Sequence, residues 1–405
     1  MESILIDIGA VPEDQCNNCL EDLFKALSED PVGDPTSIWA RHDNPWLADH
    51  VEDVTERFQA ILQRIQDIMG KLLLGEPIGE LAKASAPWLR WDATQLADVR
   101  ARLEGKSPAA YSLDDWMLVA DYLIQRYLPD DVINSEAEYL TVRASILGKI
   151  QAASTENKPH SDPMAGWSAL VPTTFAAIPP RVLSPVELDV LYVAKTRAAI
   201  AISSVKESTR TKMKTIIIEH VQAQILGQKE GQYKALATRL FDEFGQLNRD
   251  FRRIAVTEAG ECCNQGFIAA QGFGSKVQRR EAYRGACEFC RSINGKTFTV
   301  IDPAASEKHG ETEVWLGKTN IGRSASPRQR VGGMLMERGI NQRWWPAAGV
   351  QHPHCRGSWL ALPDVKPGVN LEFVSFMEAT IAKARAEAAA KANVAAAARK
   401  PVQRS

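Results

Sequence analysis

The chain has 405 residues, 45% of them hydrophobic and 24% charged, with a formal net charge of −2 and a pI near 6.4. That length suits two or three domains at roughly 100–200 residues each. The near-neutral balance excludes wrapping of nucleic acid by the whole chain, so any DNA contact has to be local.

The opening "MESILIDIGAVPEDQCNNCLEDLF" lacks the basic start and continuous apolar core of a signal peptide. No stretch reaches the roughly 18 uninterrupted apolar residues of a membrane helix. The expectation is a soluble protein kept in a reducing cytoplasm. Seven cysteines are too few for a disulfide scaffold, and closely spaced cysteines in such a compartment point to metal or redox chemistry.

Residues 1–152 read as a helical N-terminal domain. In "DVTERFQAILQRIQDIMGKLLLG", Val54, Phe58, Ile61, Leu62, Ile65, Ile68, Met69, Leu72 and Leu73 recur at spacings of three and four, which makes an amphipathic helix that ends at Gly75 and Pro77. "YSLDDWMLVADYLIQRYLPDD" opens with Ser112 as N-cap, carries Asp114 and Asp115 in its first turn and stops at Pro129. "NSEAEYLTVRASILGKIQAA" gives a third helix. Trp88, Trp91 and Trp116 are expected to pack between these elements.

Residues 153–184 change texture. Prolines at 159, 163, 172, 179 and 180 exclude a long helix and leave an extended arm. Its Trp167, Leu170, Val171 and Phe175 suggest that it lies against a surface. At "SPVE", Ser184, Pro185 and Glu187 combine N-cap, first-turn proline and capping box. Neither Pro nor Gly follows until Gly227, so a helix of about 40 residues, near 60 Å long, is expected. Two more helices complete the segment 185–274.

Residues 275–363 form a Cys/His-containing α+β domain of short β-prone pieces, and 364–405 an Ala-rich helical tail. From Phe376 the tail carries Lys383, Arg385, Lys391, Arg399, Lys400 and Arg404 against Glu378 and Glu387; it reads as a solvated helix, with salt-sensitive phosphate contacts beside DNA as the second reading. The fold class is thus mainly α: a helical body, a long-helix middle region and a small α+β domain.

Two sites in that small domain share a spacing. "ACEFCRSINGKTF" places Cys287 and Cys290 at i, i+3 ahead of an Asn294-Gly295 turn, and "QHPHCRGSW" places His352 and Cys355 at the same interval. Two thiolates so spaced reach one ion from a single turn, and a second pair closes the tetrahedron. Cys287, Cys290, His352 and Cys355 would make a closed, structural zinc set with no open position, against the plainer reading of buried reduced thiols and a surface histidine. His354 is the rival to His352, while His309 reads as a surface histidine. Closing this site would staple a loop-rich subdomain with little core of its own.

Other clusters read more plainly. Cys16 and Cys19 lie in helical context without the βαβ pattern of a redox motif, and the adjacent Cys262 and Cys263 point to different helix faces, as core residues do. Thr257 and Glu258 invite a catalytic reading, but a Glu with no second carboxylate or metal motif nearby reads as a helix-surface or inter-helix partner. Gly317-Lys318-Thr319 lacks the full phosphate-loop pattern. Arg323, Arg328 and Arg330 read as a mobile solvated loop, with DNA phosphate contact as the rival. Arg343, Trp344, Trp345 and Pro346 are expected to floor the cysteine site.

The order of a long helix, "RRIAVTEAGECCNQG", C-x-x-C with N-G-K-x-F behind it and then H-P-x-C-R resembles the Mu F-like minor head proteins of tailed bacteriophages. The resemblance rests on Thr257, Glu258, Asn264, Cys287, Cys290, Gly295, His352, Pro353, Cys355 and Arg356, and covers about residues 185–362. Two positions depart from the family: Gly357 replaces its last cysteine, and Val256 replaces the arginine before Thr-Glu. The resemblance implies a non-enzymatic head morphogenesis factor, located in the virion at the head interior or portal vertex and in the host cytoplasm during assembly. The partners it implies are the portal protein, scaffold or major capsid protein and packaged DNA, with no membrane. The competing class is a zinc-containing DNA-processing enzyme of the HNH nuclease type. That chemistry needs a histidine base beside a second metal-ligand set, and no paired Asp-His or His-Asn-His constellation is evident.

Overall fold

The computed structural model describes residues 44–73, 75–76, 93–153, 170–228, 233–281, 283, 285–362 and 371–398. Cys16, Cys19, Trp88, Trp91 and the basic residues after 398 lie outside them. Helices dominate: α1 (Pro45–Leu73), α2 (Ala93–Leu103), α3 (Leu113–Tyr127), α4 (Asp130–Ala153), α5 (Pro185–Ile225), α6 (Tyr233–Ala269), the short α7 (Glu288–Ile293) and α8 (Leu371–Ala398). The expected mainly α fold with a small C-terminal α+β region is what the chain adopts. No helix among the described residues is long and apolar enough to cross a membrane.

Local chemistry sets the helix ends. Ser112 and Asp115 exchange bonds as a capping box at the start of α3. Ser184 and Glu187 do the same at α5, with Glu187 N donating to Ser184 Oγ at 3.3 Å and Ser184 N to Glu187 Oε2 at 2.7 Å. The absence of breakers lets α5 run for 41 residues, until Gly227 turns the chain with φ +64°. In the arm before α5, the described residues hold one short 3-10 turn, Phe175–Ala177. Val171, Val182 and Leu183 are buried, so this part of the arm lies on a surface as expected.

The chain forms two compact units that cut across the five texture-defined segments. One takes in residues up to His50, Leu140–Ala194 and those from Val256 onward; the other is Val51–Tyr139 with Lys195–Ala255. Composition and Pro/Gly breaks mark where elements end, whereas α1, α4, α5 and α6 each supply residues to both units.

The second unit is helical. Phe58 and Phe251 stack with ring centroids 3.6 Å apart. Arg57 grips Glu136 through two bonds of 2.6 and 2.8 Å, and Arg210 and Lys214 converge on Asp121. Within this unit α5 buries Ala198, Ala201, Ile202, Met213, Ile216 and Ile217, one face at helical spacing. Its opposite face exposes Ile200, Ile218 and Ile225.

The first unit carries the sheet. Strands β1 (Lys276–Arg280), β2 (Thr297–Val300), β3 (Glu313–Val314) and β6 (Ser358–Ala361) lie in the order β3-β2-β1-β6. β1 runs antiparallel to both neighbours, with Val277 opposite Phe298 and Ala361. Phe267, Ile268, Val277, Phe298, Val300, Val314, Ala348 and Trp359 make its core. Behind it, α4 and α6 approach backbone to backbone. A Cβ added at Gly148 would lie 1.9 Å from Cys263 O, and one at Gly266 2.1 Å from Ser145 O.

Strands β4 (Arg328–Val331) and β5 (Met334–Glu337) form a separate hairpin turned by Gly332 and Gly333, both with positive φ. The mobile loop expected around Arg323, Arg328 and Arg330 is therefore a β-hairpin, and Arg323 is held at its base over the Trp345 ring at 3.6 Å. The glycine pair suits a tight hairpin turn, and the alternation of side chains on either side of it is too short to stand out as strand.

Candidate metal centre

The first ligand pair follows from a short helix. After β1 the chain turns through Tyr283 and Ala286, and Cys287 becomes the N-cap of α7, its sulfur facing Cys290 N at 3.5 Å. Asn294 and Gly295 end α7, Gly295 at φ +77°. Gly295 N and Asn294 Oδ1 tie this turn to Arg279 O and Glu281 N. The turn thus returns the chain into β2 and fixes both cysteines against the end of β1.

The second pair is held by α6. Glu261 Oε2 accepts from Val350 N at 2.6 Å, Thr257 Oγ1 from His354 N at 3.0 Å, and Asn264 Nδ2 donates to Gly357 O at 2.8 Å. Three residues of one helix thus pin the loop 350–357 in three places. Gln265 adds bonds to Gly317 N and Lys318 O. Thr257 and Asn264, two residues of the resemblance, serve this loop.

Together these supports bring the four predicted residues to one place. Cys287, Cys290 and His352 have ligand atoms within 4.8 Å of one another, and Cys290 and Cys355 share a second such group with Glu281. His352 Nε2 lies 3.2 Å from Cys290 Sγ. Its Nδ1 bonds Pro353 O at 2.7 Å, which leaves Nε2 to face the sulfurs. His354, by contrast, belongs to neither group; its backbone takes φ 65° and its N–H is spent on Thr257. His309 is exposed, as expected.

The electrostatics favour the thiolate at Cys287 and Cys355 and the thiol at Cys290. A hydrogen bond with Cys290 holds Cys287 down to about 4, against the cost of its burial. The same bond, with that to Cys355, pushes Cys290 up. Burial opposes ionisation of Cys355, but its bond with Cys290 and the charges of Arg279 and His352 outweigh it and carry Cys355 well down. Burial works against protonated His352, yet its contacts with Cys287 and Cys355 raise it to about 9. Sulfurs held toward the thiolate beside an imidazole are the donor chemistry that a borderline-soft divalent cation takes up with loss of protons.

Trp344 stacks on His352 at 5.6 Å and meets Phe289 edge-on. Trp345 instead faces Trp315, so only half of the expected tryptophan floor serves the cluster. Lys318 of the phosphate-loop-like stretch is buried between Trp315 and Trp345. Its Nζ donates to Gly310 O at 2.6 Å and Glu313 O at 2.7 Å, an inward structural role. Cys262 and Cys263 are buried, and burial pushes the Cys263 thiol up to about 12.

Sequence reasoning misses Arg279, Glu281 and Tyr283, which complete the surroundings of Cys290 and Cys355. One signal was available: Val277 and Arg279 alternate into the same buried side of β1, so an arginine stands where the strand period calls for an apolar residue. Compared with protein-family models, curated proteins and solved structures, the chain finds no match in any of the three.

Proposed function

We propose that Cys287, Cys290, His352 and Cys355 hold one structural zinc ion. The observation that carries this reading is the convergence of two i, i+3 pairs, distant in sequence, with Cys290 Sγ and His352 Nε2 3.2 Å apart. Three thiolates and one imidazole fill a tetrahedron, which suits a staple in place of a reactive centre. Zinc would neutralise the clustered thiolates and tie α7 to the 350–357 loop. Elemental analysis of protein purified without chelators should find about one zinc per chain. A metal-free protein whose stability is unmoved by Cys287→Ser overturns the reading.

On this basis we further propose that the chain is a minor head protein of a tailed bacteriophage, acting in head morphogenesis near the portal. Support comes from the order of motifs and from the way their parts join: Thr257 and Asn264 on α6 bind the backbone of the H-P-x-C-R loop. The portal protein is the expected first partner, with scaffold or major capsid protein and packaged DNA as further contacts. In this reading α5 offers Ile200, Ile218 and Ile225 to another chain. Crosslinking within procapsids should join this exposed face to the portal or to another copy. Its absence from purified heads, with every crosslink internal to the chain, counts decisively against the assignment.

A further inference from the structure

Beside Cys355 lies an ion pair that the fold alone does not account for. Arg279 Nε donates to Glu281 Oε1 at 2.6 Å, and both side chains are wholly shielded from solvent. Desolvating two charges is costly, and well-packed apolar residues of similar volume often serve stability as well or better. Yet every group here is aimed. Arg279 Nη1 donates to Gly349 O at 3.2 Å, in the loop that carries His352 and Cys355. Its Nη2 lies 3.6 Å from Cys355 Sγ, and its guanidinium stacks over Trp359 at 4.9 Å. Both Glu281 oxygens lie 3.6 Å from the same sulfur. The carboxylate fills a cradle above Gly357, where a Cβ would come within 2.1 Å of Oε1.

The pair is neutral as a whole, so what it offers the site is a donor aimed at one charged sulfur. A divalent cation bound by three thiolates and a neutral imidazole carries a net negative charge, here in a buried setting that penalises it. Cys290 is served by Tyr283 Oη at 3.8 Å, and Cys287 by the backbone of α7. For Cys355, Glu281 can accept a hydrogen bond from the thiol; once the sulfur is a thiolate, Arg279 is the group placed to donate to it.

We propose that Arg279 is a positioning residue of the metal centre, the donor that holds the Cys355 thiolate. In this arrangement Glu281, seated on Gly357, fixes the guanidinium against Cys355. The inference rests on the zinc reading above. It deepens that reading by assigning a partner outside the ligand set, the kind whose loss typically costs 10–100-fold in metal affinity.

The test compares zinc affinities by competition with a chromophoric chelator, together with the thiolate-to-metal absorption of the Co²⁺ form. Arg279→Met should bind zinc about 10–100-fold more weakly and give a diminished thiolate band. Arg279→Lys, which keeps the charge, should recover part of both. A purely structural role predicts that the two variants fail alike or leave the Co²⁺ spectrum untouched, and either result overturns the proposal. Should Arg279→Met not fold, Gly357→Ala probes the same contact with every charge retained. It should displace the carboxylate and weaken zinc binding, and the shorter side chain of Glu281→Asp added to it should restore the affinity. Unchanged affinity in Gly357→Ala also overturns the proposal. Failure of the unmodified chain to bind zinc at all would instead defeat the underlying metal reading.

Discussion

At the scale of single residues, the cysteine–histidine cluster makes the two neighbouring histidines inequivalent. His352 points Nε2 at Cys290, whereas His354 spends its backbone N–H on Thr257. His352→Ala is expected to abolish stoichiometric zinc binding. His354→Asn, which tolerates the left-handed φ of 65°, should retain it; equal loss in both variants by elemental analysis would refute this assignment. Asp115 supplies a second test. Burial alone would raise its pKa, but bonds from Lys106 and Ser112 prevail and bring it from an ordinary 3.8 to about 2. A depressed carboxylate contributes stability that is complete above the unfolded pKa and lost as pH falls through the folded one. The stability advantage over Asp115→Asn should therefore be constant above about pH 4 and shrink toward pH 2. Chemical denaturation of both proteins across that range measures it, and an advantage that grows on acidification would contradict the sign.

At the scale of elements, the glycines of α4 and α6 decide how closely two helices approach. A methyl group at Gly266 would penetrate Ser145 O, a backbone atom that cannot rotate away. Gly266→Ala should destabilise the protein by about 1–3 kcal/mol, read from the denaturation midpoint. By comparison, Gly245→Ala on α6, where the Cβ meets nothing within 4 Å, should be neutral or stabilising. The helices themselves were legible in the sequence because capping and breaker signals are local: Ser112, Ser184 and Gly227 act within a few residues of themselves. The ligand pairs were legible for the same reason, each being an i, i+3 spacing. What joins them was not. Glu281 answers Gly357, Glu261 answers Gly349, and Lys318 answers Gly310 and the Trp315 and Trp345 rings. In each case a long polar side chain occupies space or satisfies carbonyls across a turn or between elements. No periodicity records such a match, because it depends on the folded approach of chain segments that do not repeat.

At the scale of the whole molecule, chain order and spatial grouping part company. α6 delivers its last turns to the sheet-bearing unit and its first to the helical one, so neither unit is a continuous stretch that could be cut out by trimming an end. The hairpin turned by Gly332 and Gly333 has a particular position in this order. It lies between Cys290 and His352, with Arg328 and Arg330 exposed along it. A protease that severs it leaves each fragment holding one ligand pair and one partner of the β1–β6 ladder. On the proposed zinc reading, the ion then becomes a non-covalent bridge between two polypeptides. Limited trypsin digestion should yield a nicked protein that still elutes as one species, and a chelator should lower the denaturant concentration at which the fragments part. Separation unaffected by the chelator would mean that the sheet alone holds them. The connectivity of the mature fold would then outlast the continuity of its own backbone, with a metal ion as the surviving joint.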